Sequence, residues 1–142
     1  MIAITVNFDS IIELTDDQFY QLCRKNPDIK FERNAKGELI IIQATGGGTG
    51  KRNSEVNADF VIWNRQNQLG VCFDSSTCFK LLNGANRSPD VSWIRQDRWD
   101  ALTPEQQEKF PPIAPDFVLE LIKLVIDCKK RNQKCKNISI TR

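Results

Sequence analysis

Short apolar runs bounded by polar or turn-forming clusters alternate along this chain with stretches of helical spacing. Leu14-Thr15-Asp16-Asp17-Gln18-Phe19 predicts a helix start. Thr15 can cap the free backbone N–H groups, Gln18 sits three residues on, and Leu14 and Phe19 are placed for a hydrophobic staple. The helix is expected to run to about Lys25 and to stop before Pro27. Ile29–Arg33 and Glu38–Ile42 flank the polar loop Asn34-Ala35-Lys36-Gly37, which is the pattern of a β-hairpin. From Asn53 to about Gln66, Val56, Phe60 and Trp63 recur at helical spacing. Ala58 and Ile62 widen that stripe, and the helix is expected to bury it and to end before Gly70. Val71-Cys72-Phe73 and Cys78 to Leu82 read as strands, with a turn at Asn83-Gly84. Asp97 to Lys109 is a helical or irregular excursion in which Thr103-Pro104-Glu105-Gln106 resembles a capped start, and Pro111-Pro112 ends it. Val91 to Ile94 and Phe117-Val118-Leu119 are short enough and apolar enough for buried strands. This order predicts one mixed α/β domain with its core between helices and sheet.

Composition narrows the classes. A chain of 142 residues with 40% hydrophobic and 27% charged residues has room for one real core and no case for two. A net charge of +2 is too small to announce a nucleic-acid partner by itself. Met1 to Val6 lacks the basic flank and cleavage pattern of a signal peptide, and no run reaches the length of a membrane span, so a cytoplasmic protein is expected. Five cysteines and no histidine argue for buried free thiols. The pairs Cys72/Cys78 and Cys128/Cys135 are too widely spaced for the short cysteine hairpins of zinc ribbons.

Candidate chemistry sits at the ends of two apolar runs. Asp90 follows Pro89, which has no backbone donor and suits a strand start. Glu120 closes Phe117-Val118-Leu119, where an unpaired charge does not belong in a core. A shared Mg²⁺ would offset the burial, since this ion takes one or two carboxylates and keeps several waters. The same spacing also fits two strand-end acids facing water, and spacing does not separate the two readings. Thr45-Gly46-Gly47-Gly48-Thr49-Gly50-Lys51 suggests a phosphate loop but fails it at both ends. Thr45 stands where the first glycine should be, and Arg52 where the Ser/Thr should be. Lys51 and Arg52 at a helix start can still meet a nucleic-acid phosphate.

With these segments placed, the chain resembles the Uma-type restriction endonuclease family, abundant in cyanobacteria and related to the PD-(D/E)xK nucleases. The resemblance is carried by Leu14 to Phe19, Glu32-Arg33, Gly37-Glu38-Leu39-Ile40, Thr45-Gly46-Gly47, Asp74-Ser75-Ser76-Thr77, Arg87-Ser88-Pro89-Asp90, Arg98-Trp99, Leu102 to Gln107 and Pro115 to Leu121. It implies a restriction-endonuclease-like sheet flanked by helices. It also implies Mg²⁺ held by Asp90 and Glu120, DNA as partner with a homodimer left open, and hydrolysis of phosphodiester bonds. Glu32 matches an acid often present on the family's first hairpin and joins the candidate catalytic residues. The simplest version of the motif puts a Lys two residues after the Glu, a position held here by Ile122. In the family the Lys comes instead from the following helix.

After Leu121 the resemblance breaks. The family continues with a turn and an amphipathic helix, whereas this chain reads Lys123-Leu124-Val125-Ile126-Asp127-Cys128-Lys129-Lys130-Arg131 and ends at Arg142. The codons permit a shifted reading that restores a family-like Lys-Met-Gln-Glu-Tyr-Ile-Asp-Asn. A frame slip near Ile122 is therefore expected, leaving an incomplete endonuclease-like domain over 1–122 and an aberrant basic tail over 123–142. Lys129, Lys130 and Lys134 would fall near the helical Lys only by accident. Two functions follow: a Mg²⁺-dependent DNA endonuclease weakened by its tail, or a non-catalytic nucleic-acid binder using Lys51, Arg52, Arg87 and the tail.

Overall fold

The computed structural model describes residues 3–8 and 11–121. The expectations for Ile122, for the tail with its lysines and cysteines, and for Met1 and Ile2 lie outside the described residues. Within them the order is β1 (Ala3–Val6), α1 (Asp16–Lys25), β2 (Lys30–Arg33), β3 (Leu39–Ile42), α2 (Gly47–Asn67), β4 (Gly70–Asp74), β5 (Phe79–Lys80), β6 (Asn86–Arg87), β7 (Val91–Arg95), α3 (Gln96–Asp100), α4 (Pro104–Glu108) and β8 (Phe117–Leu119). These strands form two antiparallel sheets, one ordered β1-β3-β2-β6-β5 and the other β4-β7-β8, where the sequence reading expects one. The fold is mixed α/β and consistent with a restriction-endonuclease-like fold. No helix among the described residues is long and apolar enough to cross a membrane.

α1 begins as the sequence predicts. Thr15 Oγ1 accepts from the Gln18 N–H, and the Gln18 side chain accepts from the Thr15 N–H, closing a capping box. The helix lays Phe19 onto the five-stranded sheet, where Phe31, Leu39 and Cys78 complete a buried cluster. Alternation along β2 explains the division of its side chains: Phe31 and Arg33 point to α1, so Lys30 and Glu32 point to the opposite face. Arg33 is buried, with its guanidinium over the Phe19 ring. It donates to Asn86 Oδ1, the Leu14 carbonyl and Asp16, so its charge is satisfied where it lies.

α2 covers one face of the three-stranded sheet but is rotated from the expected facing. Asn53, Val56, Asn57, Phe60, Val61 and Asn64 form the inward row, while Ala58, Ile62 and Trp63 are exposed. The helix also starts at Gly47, ahead of the expected Asn53. The physical reason for the rotation is polar. Asn64 Nδ2 donates to the Gly70 carbonyl and its Oδ1 accepts from Trp93 Nε1, tying the helix to β4 and β7 through an inward asparagine. Phe60 then stacks on Phe117 at 4.9 Å, and Trp63 meets Trp93 edge-on from the margin.

The other face of β4 and β7 turns toward the five-stranded sheet, where Phe73 meets Phe79 edge-on at 5.4 Å. The chain passes from one sheet to the other between β6 and β7, through only Ser88-Pro89-Asp90. The excursion after β7 resolves into α3 and α4, the second opened by a Thr103/Gln106 capping box. The expected strand around Leu82 stops at Lys80, and Asn83-Gly84 makes the predicted turn with Gly84 at φ +83°.

Candidate active site

Asp90 and Glu120 stand at matching ends of β7 and β8. These strands pair antiparallel with Val91 opposite Leu119, so one further step of the register sets Asp90 opposite Glu120. Residues directly opposite in an antiparallel pair send their side chains to the same face. Asp90 is buried, and its Oδ2 accepts from the Leu121 N–H at 2.7 Å, which holds the chain after Glu120 against the acid. Glu120 is exposed to water on one side, but partial desolvation by its neighbours pushes its carboxyl above the ordinary range, and the negative charges of Asp90 and then Glu32 push it in the same direction. The positive charges of Lys30 and Arg87 oppose that rise.

Glu32 reaches this place from the other sheet. Its Oε2 accepts from Arg87 Nη1 at 2.9 Å, and its Oε1 accepts from the Ser88 N–H at 2.9 Å. Two residues earlier on the same face of β2, Lys30 Nζ donates to the Ser88 carbonyl at 2.9 Å. Both backbone polar groups of Ser88 are thus gripped by β2 side chains, and the link into Asp90 is fixed at the seam between the sheets. In this geometry Glu32 holds Arg87 and Ser88, and through them the approach to Asp90. Cys78, beside the same seam, is pushed up to about 12 by burial, so it is an inert thiol at neutral pH.

Lys30 is the residue that reading the sequence missed. The sequence pattern places the expected lysine after Glu120, whereas the fold brings a lysine to the seam from β2. The signal available in the sequence was the two-residue spacing of Lys30 and Glu32, which puts them on one face of a strand. That spacing acquires meaning only once β2 is known to border β6. Of the other cations considered, Lys51 lies within 3.6 Å of Glu55 on the exposed side of α2, and Arg52 donates to Thr49. Neither belongs to the seam.

The donor set suits a small hard dication. Asp90 and Glu120 lie on one face at the ends of paired strands, and the Glu120 carboxyl is raised first by desolvation and then by the Asp90 charge, a repulsion that a cation held by both would relieve. Among the described residues no group of three or more Asp, Glu, His or Cys is placed to hold a metal. Two carboxylates are nevertheless enough for Mg²⁺, which fills its remaining positions with water or phosphate oxygen. A surface depression lined by Leu14, Asp16, Arg33 and Lys36 among others includes neither acid.

The mixed α/β arrangement of two antiparallel sheets and four helices is consistent with the restriction-endonuclease-like class. The family model for Uma2, described as "Putative restriction endonuclease", matches residues 16–135, and the chain belongs to that family. The matched region contains all the seam residues and runs past Ile122 into the segment the sequence reading sets apart. No curated protein matches the chain.

Proposed function

We propose that the seam is the active site of a Mg²⁺-dependent DNA endonuclease, with Asp90 and Glu120 as the metal-holding pair. The observation that carries this reading is the register of β7 against β8, which sets the two acids opposite one another with a raised Glu120. Family membership supports DNA as the substrate class. When bound, Mg²⁺ supplies charge stabilisation at the phosphorus and a more acidic water. The chain's own residues do the rest. Asp90 and Glu120 supply the ligands, the Leu121 N–H orients Asp90, and Glu32 with Arg87 holds the approach to Asp90 in place. Asp90 is buried, while Glu120 stays open to water, so a ligand can reach the pair from that side.

The family model matches as far as residue 135, but on the reading that a frame slip near Ile122 replaces the family's helix, cleavage by this chain is expected to be weak. Loss of a single proton-transfer group alone costs about 10²–10⁴-fold. The test pairs this chain with a version carrying the frame-restored continuation, both assayed on plasmid DNA with Mg²⁺ and with EDTA. Isothermal titration of Mg²⁺ runs alongside. The reading expects Mg²⁺ binding by both chains, stronger cleavage by the restored one, and loss of both binding and cleavage in Asp90→Ala. Cleavage unaffected by EDTA or by Asp90→Ala would overturn it. DNA binding without cleavage and without Mg²⁺ binding would favour the non-catalytic binder instead.

A further inference from the structure

The charges at the seam do not balance in the protein alone. Asp90, Glu120 and Glu32 bring three carboxylates, and Lys30 and Arg87 bring two cations. Arg87 is committed, because its Nη1 lies 2.9 Å from Glu32 Oε2 and forms an ion pair with it. Lys30 is not committed in that way. Among the described residues its hydrogen bond goes to the neutral Ser88 carbonyl, which uses one of its three N–H donors. A lysine half withdrawn from water gains from an anion at short range.

We propose that Lys30 is a substrate-binding residue that holds a phosphate oxygen of the DNA backbone beside the Asp90/Glu120 pair. This rests on the endonuclease reading of the seam. A dication on Asp90 and Glu120 cancels their two charges, and Glu32 cancels Arg87. Lys30 is then the one net charge left among these groups, and a phosphodiester carries the single negative charge that matches it. The position is also suitable. Ser88, which Lys30 touches, is two residues from Asp90, and the lysine's charge is felt at Glu120.

The test uses the full chain with a short DNA duplex, in EDTA and in Ca²⁺, and compares the parent with Lys30→Met and Lys30→Arg. Affinity is measured across a salt series, and Mg²⁺ affinity is measured separately. Losing a charge-assisted hydrogen bond weakens duplex binding about ten- to a hundredfold. Losing one phosphate contact makes the log–log salt slope shallower by about 0.9. Both effects are expected in Lys30→Met, with Lys30→Arg recovering most of the affinity. Mg²⁺ affinity should be unchanged or tighter in Lys30→Met, since a cation beside the acids has gone. A lysine that only braces Ser88 would leave the salt slope as in the parent.

Should Lys30→Met fail to fold, acylation of the parent's lysines read by mass spectrometry decides the matter. Lys30 is expected to be protected by the duplex, and equal labelling with and without DNA overturns the proposal. A parent salt slope in folded Lys30→Met, together with Mg²⁺ binding that depends on Asp90, overturns the role of Lys30 and leaves the endonuclease reading standing. A parent chain that binds neither Mg²⁺ nor duplex overturns both.

Discussion

Asp90 carries an electrostatic cost. Glu120 has its proton affinity raised in the folded protein, first by partial desolvation and then by Asp90, so the native state binds a proton there more readily than the unfolded chain. Stability from this group therefore falls as pH rises from its ordinary value of 4.5 through the raised one, and the penalty is complete above that. Asp90→Asn removes the like charge and keeps an oxygen to accept from the Leu121 N–H. Its melting temperature at pH 7 without metal is expected to equal or exceed the parent's, while the rise produced by Mg²⁺ in the parent disappears. Differential scanning with and without Mg²⁺ checks both halves. Asp16 works in the opposite direction. Hydrogen bonds from Lys80 and then Arg33 hold its carboxyl below 3.8, so its contribution is present above that value and lost as pH falls through the lowered one. Asp16→Asn should flatten the acid side of a plot of melting temperature against pH, leaving the neutral side lower than in the parent.

At the scale of elements, the strand that most constrains the seam is β7, paired on both sides by β4 and β8. Its pairing with β4 depends on a glycine. A Cβ built at Gly70 would fall on the Ile94 carbonyl oxygen and lie 2.6 Å from Trp93 Cε2. Gly70→Ala is expected to cost about 1–3 kcal/mol or somewhat more, as overpacking of a closely fitted site does. Urea unfolding measures this, and a change below about 0.5 kcal/mol, the usual effect of a surface substitution, would mean that the strands can part without penalty. Helix termini behave more simply. Thr15 and Thr103 were legible as caps because a capping box is a local event between residues three apart. The facing of α2 was not legible in that way. Its hydrophobic residues do not lie on one clean side, and the inward asparagine Asn64 finds partners on β4 and β7 that no local pattern reveals.

At the scale of the whole molecule, the shortest of the connections between the two sheets is the three-residue link from β6 to β7, and a few side chains cross beside it. Glu32 is central to that crossing, since it binds the Arg87 guanidinium and the Ser88 N–H together. Glu32→Gln keeps one acceptor and loses the ion pair in a buried place, at an expected cost of about 1–3 kcal/mol. Because the link leads straight into Asp90, Mg²⁺ affinity should fall along with stability. The same substitution with Mg²⁺ affinity unchanged would show that Asp90 is held without help from the other sheet.

By itself the sequence determined what depends on neighbours: α1 with its cap, the β2–β3 hairpin, the turn at Asn83-Gly84, the capped start at Thr103, and the two acids at the ends of apolar runs. These follow from backbone hydrogen bonding and side-chain alternation within a few residues. The tertiary structure alone decided that the strands divide into two sheets and that α2 turns its asparagines inward. It also decided that Lys30 and Glu32 arrive at Asp90 and Glu120 from a strand far away in the chain. The physical reason is that charge acts through space. The proton affinity of Glu120 depends on which groups stand beside it, and that is known only after β2, β6, β7 and β8 have been packed together.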